Sequence, residues 1–173
     1  MSPIILTLIL SLSGLFAPVA GNNTVVTEPR WRQIVLMRST RDYVERLLGR
    51  SQYRGYSASY KVEDGTLHVE YYPFNFCASH PGADLRVRRW TVVEITHEPD
   101  NPSKLADLNL DLKKFRKVRE SPDAPELISY INDEDGVDYT FQADDTLSSV
   151  RYFPTRRYDA LRCKKATGNR RKI

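Results

Sequence analysis

Residues 57–72 constrain this chain more than any other stretch. From Ser57 to Val62, and again from Leu67 to Tyr72, tyrosine, valine and leucine alternate with polar residues, and Glu63-Asp64-Gly65 stands between the two runs. A strand sends successive side chains to opposite faces, so this pattern marks a sheet with one apolar face. An Asp-Gly turn between two alternating runs marks a hairpin. The fold must therefore contain an antiparallel sheet, one face buried and the other free to meet water.

The rest of the chain extends that plan. Trp31 to Met37 reads as an extended stretch with Trp31, Ile34 and Leu36 turned inward. Ser39 is a helix cap with Asp42 three residues on, and Tyr43, Val44, Leu47 and Leu48 share one helical face until Gly49 stops it. Val87 to Thr96 reads as a third strand, and Glu98 to Ser103, with Pro99 and Pro102, as a break. Leu105, Leu108, Leu110, Leu112, Phe115 and Val118 fit neither period and read as a short helix or docking segment. After a turn at Ser121–Pro125, three strands follow at Leu127–Ile131, Val137–Phe141 and Leu147–Phe153, with Asp135-Gly136 and Ala143-Asp144-Asp145 as turns. The expected fold is α+β: five to seven antiparallel strands in meanders, one or two short helices packed on one face, arranged as two α-βββ half-repeats. A chain of 173 residues, 40% hydrophobic and 28% charged, supports one real core and is too apolar to be disordered.

The first residues point to export. Ile4 to Phe16 is apolar but shorter than the ~20 residues of a membrane span, and Ala17, Ala20 and Gly21 follow before the polar Asn22. This is the layout of a signal peptide over 1–21, with an uncleaved membrane anchor as the alternative. A single α+β domain is expected over 22–163, in a secreted or periplasmic setting. Of the net charge of +4, five positive charges lie beyond Cys163 in a polar tail, 164–173, expected to be disordered. The body itself is slightly acidic, which argues against nucleic acid as a partner. Cys77 and Cys163 are the two cysteines, and in an oxidising compartment they read as one disulfide. Closing so long a loop contributes roughly 4–5 kcal/mol in the chain-entropy picture. Cys77-Ala-Ser-His80 has a metal-like spacing, but a structural zinc wants four protein ligands and no second close pair exists.

No catalytic constellation emerges from the sequence. His68, His80 and His97 do not lie at helical ligand spacing, and neither a Gly-x-Ser-x-Gly elbow nor a glycine-rich phosphate loop occurs. The carboxylates of Asp133-Glu134-Asp135-Gly136 and Asp144-Asp145 coincide with hairpin turns, where Asp and Gly serve the backbone. No cofactor or metal is expected. The aromatic run Tyr71-Tyr72-Pro73-Phe74-Asn75-Phe76 is harder to place, because alternation buries only half of it. Phe74 and Phe76, with Arg86 and Arg88, form the candidate contact surface for a protein partner. The competing reading packs both rings over the disulfide at the edge of the core. The functional expectation is an exported, non-catalytic module that binds another envelope or secreted protein. A small hydrolase acting on cell-wall or polysaccharide substrates, or tail-mediated binding to an anionic surface, is the alternative.

The run Ser39-Thr40-Arg41-Asp42-Tyr43-Val44-Glu45-Arg46-Leu47-Leu48-Gly49, followed by a tyrosine-rich hairpin, resembles the start of the SmpA/OmlA-type (BamE-like) periplasmic module. That module in turn resembles one repeat of beta-lactamase-inhibitor-like proteins. The resemblance covers about 11 residues and implies a helix followed by strands. Over nearly its whole length the chain also resembles a group of exported bacterial proteins sharing the Trp31…Leu48-Gly49 opening and the Leu161-Arg162-Cys163 ending. The lipoproteins of the module are anchored through an N-terminal cysteine that has no counterpart here.

Overall fold

The computed structural model describes residues 28–51, 53, 55–74, 85–121, 124–161 and 163. Two short strands, β1 (Arg30–Trp31) and β2 (Ile34–Val35), pair with each other and lead into the one α-helix among the described residues, α1 (Arg41–Leu48). Seven further strands form a single antiparallel sheet: β3 (Ser57–Val62), β4 (Gly65–Tyr71), β5 (Val92–Pro99), β6 (Arg116–Ser121), β7 (Ala124–Asn132), β8 (Val137–Phe141) and β9 (Leu147–Tyr152). Their spatial order is β3-β4-β5-β9-β8-β7-β6. Two meanders, β3-β4-β5 and β6-β7-β8-β9, thus meet where their last strands pair, through Ile95–Tyr152, Thr96–Arg151 and His97–Val150. The fold is α+β, as the alternation implied.

The pairing register sorts the side chains onto two faces. Ala58, Tyr60, Leu67, Val69, Tyr71 and Ile95 share one face with Val150, Tyr152, Tyr139, Phe141 and Tyr130. Trp31, Ile34, Leu36, Met37 and Val44 close over the first meander on this side, forming one core cluster with Tyr60, Leu67, Val69, Tyr71, Val92 and Ile95. Leu105, Leu108 and Phe115 close over the second, against Tyr130, Phe141, Leu147 and Val150. Tyr152 packs against both clusters. The opposite face is mostly polar, with Ser59, His68, Glu70, Glu94, Thr96, Arg151, Asp138, Thr140 and Ser129.

Several local expectations are corrected. The helix is capped by Thr40 without a side-chain bond, because the Ser39 hydroxyl accepts from the Val35 amide at 2.9 Å instead, so no capping box forms. Gly49 ends the helix at φ +89°, and its amide donates to the Glu45 carbonyl at 3.0 Å. Of the expected helical face, Val44 is buried, Leu48 is half-buried and Leu47 is exposed, while Arg41 is buried. The third strand starts at Val92 rather than Val87, because Trp90 takes φ +68° and breaks the extended run. It then runs to Pro99, through the first residues of the expected break. Among the described residues the second half contains no α-helix. It opens on two 3-10 turns, Leu105–Leu108 and Leu112–Lys114, then the edge strand β6, and a third 3-10 turn, Arg156–Leu161, follows the last strand, so it is a four-stranded meander and not a copy of the first half. The loop of the first hairpin is Glu63-Asp64, and Gly65 already belongs to β4. A Cβ on Gly65 would stand 2.1 Å from the Glu98 carbonyl oxygen, so the glycine permits close approach of β5 rather than the turn itself.

Candidate binding surface

The first helical residue, Arg41, organises the surface beside β4. Its guanidinium lies over the rings of Tyr71 and Trp90, at 5.6 and 5.3 Å from their centroids. The Nε–H donates to Glu45 Oε1 at 2.8 Å, one turn along the helix, and Nη1 donates to the Gly55 carbonyl at 3.0 Å. Nη2 donates to the Tyr53 carbonyl. A guanidinium serves here because its fixed planar fork satisfies several acceptors while its faces stack on aromatic rings. One buried cation thereby ties the helix to the segment that leads into β3.

Trp90 is the second anchor. Its amide donates to the Tyr72 carbonyl at 2.8 Å, and its own carbonyl accepts from the Arg41 amide at 2.9 Å. These bonds hold the residue in a left-handed conformation that a bulky side chain seldom adopts. The indole is stacked with Tyr56 at 5.4 Å and 28°, and the Arg89 guanidinium lies 4.8 Å from its centroid. Tyr56 is 50% exposed and Tyr53 70% exposed. Of the four large apolar side chains most exposed among the described residues, Leu47, Tyr53 and Tyr56 belong to α1 or to the segment just after it. A depression of about 420 Å³, lined by Arg41, Asp42, Glu45, Arg50, Ser51 and Trp90, opens beside the stack. Arginine and aromatic side chains, rigidly held and half in water, are the composition that binding surfaces favour.

The residues singled out from sequence lie differently. Phe74 is half-buried against the first core cluster and meets Tyr72 edge-on at 5.8 Å and 77°. It does not project as a free ring. Arg86 and Arg88 are exposed, and their backbone is tied down: the Arg86 amide donates to the Leu161 carbonyl at 2.6 Å, and the Arg88 carbonyl accepts from Thr91. Phe76, Cys77 and His80 lie outside the described residues, as do the leader 1–21 and the tail 164–173. Cys163 is described, and no described cysteine is free. Tyr53, Tyr56, Arg41 and Trp90 were missed, although the tyrosines of Tyr53-Arg54-Gly55-Tyr56, outside any apolar period, were a visible signal.

Elsewhere the chemistry-bearing groups serve the fold. On the open face of the sheet, Arg151 Nη2 donates to Asp138 Oδ2 at 2.8 Å, and Arg151 Nη1 is 3.9 Å from Glu94. Burial raises the Glu94 carboxyl above its ordinary range, against the pull of Arg151. His68 Nδ1 is 2.8 Å from the Ser59 hydroxyl. His97 is packed beside Trp31, with Nε2 at 3.5 Å from Asp64. In the 133–136 turn, the side-chain Oδ1 of Asn132 accepts from the backbone amides of Glu134 and Asp135 at 3.0 Å each, and its Nδ2 donates to Asp135 Oδ2 at 2.7 Å. These carboxylates shape a turn. The chain matches no protein-family model, no curated protein and no solved structure.

Proposed function

We propose that this chain is an exported, non-catalytic module that binds another envelope or secreted protein, and that Tyr53, Tyr56 and Trp90 with Arg41 and Arg89 form its contact surface. The observation that carries the reading is the stack of Tyr56 on Trp90, whose ring is also met by the guanidinium groups of Arg41 and Arg89. A rigid aromatic anchor loses little side-chain freedom on binding, so most of the interaction survives as affinity. Arg86 and Arg88 belong to the same reading, on the turn that precedes Trp90. The helix followed by a hairpin also has the order that the resemblance to the SmpA/OmlA-type module implies.

The Cys77–Cys163 bridge is part of this proposal. The described residues on either side of Cys77 approach residues 158–161: Phe74, Leu85, Tyr158 and Leu161 all pack against one cluster, and Arg86 is hydrogen-bonded to Leu161.

The test is site-specific photo-crosslinking in the native envelope. A photoreactive residue at position 53 should capture one defined partner, and the same residue at position 59, on the open face of the sheet, should not. Tyr56→Ala should cut capture from position 53 at least tenfold without changing the melting temperature by more than a few degrees. Equal capture from positions 53 and 59 would overturn the reading.

A further inference from the structure

The sheet ends on one side at β6, and among the described residues no strand pairs with its outer edge. This edge and its approach are strongly basic: Lys113, Lys114, Arg116, Lys117 and Arg119 are all exposed. Only Arg116 of the five is ion-paired among the described residues, with Asp133 at 3.6 Å. Lys117 lies 5.5 Å from the Tyr130 ring, which places it with Arg119 on the covered face, while Arg116 and Val118 take the other. The opposite edge, β3, differs. Its one cation, Lys61, is neutralised by Asp100 at 2.7 Å. Exposed Leu112 stands just before β6, beside a hollow of about 320 Å³ lined by Leu105, Ala106, Asn109, Leu110 and Asp145.

An unpaired edge offers a row of backbone donors and acceptors, and a row of like charges on it excludes a second copy of the same edge. What remains compatible is a strand of opposite charge. From these observations we infer that β6 docks an extended acidic segment of a partner protein as an eighth strand. Side chains on one face of a strand recur about every 7 Å, so alternate carboxylates of the segment would stand opposite Lys117 and Arg119. Backbone pairing gives the affinity and the charges give the selection. A flexible polyanion or a lipid surface would use the charges but leave the edge backbone unpaired. This site lies at the other edge of the sheet from the Tyr56–Trp90 surface and does not depend on it.

The experiment uses the full mature chain and a capped eight-residue peptide alternating glutamate and valine. The peptide should bind, and hydrogen exchange in fragments covering 113–121 should slow. N-methylation of alternate peptide amides should weaken binding at least tenfold. Lys117→Glu with Arg119→Glu should do the same, and Lys113→Gln with Lys114→Gln, outside the strand, provides a second variant with a smaller loss should the first fail to fold. Failure of the peptide to bind, or equal binding of the N-methylated peptide, would overturn the inference. So would equal protection of 113–121 by polyglutamate or by vesicles rich in anionic lipid, since either result would mean that charge alone is recognised.

Discussion

The hydroxyls of Tyr60 and Tyr71 meet at 2.9 Å on neighbouring strands, in the core cluster that lies under Arg41. Each is the other's partner where water does not reach. Burial pushes both phenols above their ordinary value of 10, and burial also raises Tyr152 to about 12. The folded state therefore favours the neutral phenols more than the unfolded chain does. Their contribution is complete below about pH 10 and is lost as pH rises from there toward 12 and beyond. Urea midpoints should be flat from neutral pH to about 10 and fall steeply above it. A flat profile to pH 12 would refute this.

Mutation of the same pair should be non-additive. Tyr71→Phe leaves the Tyr60 hydroxyl buried without its partner and should cost about 1–2 kcal/mol. Replacing both tyrosines with phenylalanine should cost less than the two single changes together, because no orphaned hydroxyl remains. Equilibrium unfolding of the three variants decides it, and strict additivity would contradict the buried pair.

Arg41→Ala should destabilise the fold by about 2–4 kcal/mol, since it strands Glu45 and frees the carbonyls of Tyr53 and Gly55. Arg41→Lys should recover less than half of that loss. A point charge cannot reach three acceptors and two ring faces together. If lysine restores full stability, the guanidinium geometry is irrelevant and charge alone suffices.

Native, non-reduced protein from the envelope should begin near Asn22 and show no free thiol when denatured. An intact Met1 would remove the export reading, and two titratable thiols would remove the Cys77–Cys163 bridge. In the same material Phe74→Ala should lower stability by about 2 kcal/mol, as expected for a ring packed edge-on against Tyr72. Partner capture from position 53 should survive that change.

Deleting residues 164–173 should leave the melting temperature within a few degrees of the parent, since the segment is polar and basic and has no apolar periodicity to bury. A large drop would mean that the tail docks on the domain.

What the sequence disclosed follows from which physical signals are local. Alternation and turn chemistry located β3, β4, β8 and β9 closely, because those strands have one apolar face and Asp-rich turns, but β7 begins at Ala124, inside the turn expected at Ser121–Pro125. β6 escaped notice because its exposed edge carries cations where a core strand would carry valines, so no period-2 apolar signal exists. The start of β5 was misplaced because nothing in Arg88-Arg89-Trp90 announces a positive φ at Trp90, which is set by bonds to Tyr72 and Arg41 from distant segments. The sequence singled out Phe74, whose ring packs on the first core cluster, and passed over Trp90, whose ring stacks on Tyr56. An aromatic run does not say which rings the core will claim. Arg41 was invisible for a related reason: a helical arginine is ordinarily solvent-facing, and only the surrounding rings and carbonyls bring it inside.

The joint between the two meanders is three residue pairs wide, and Tyr152 alone among the described residues packs against both core clusters. β9 is the last in sequence of the described strands, and it supplies the neighbour β5 has on that side. Until residues 150–152 arrive, the first meander can assemble but keeps a raw edge along Ile95 and His97, and the second lacks its closing strand. The two halves are therefore welded last and at one narrow place. A chain cut short before Val150 would carry two sticky half-sheets rather than a smaller version of the same domain, and its fate would be self-association.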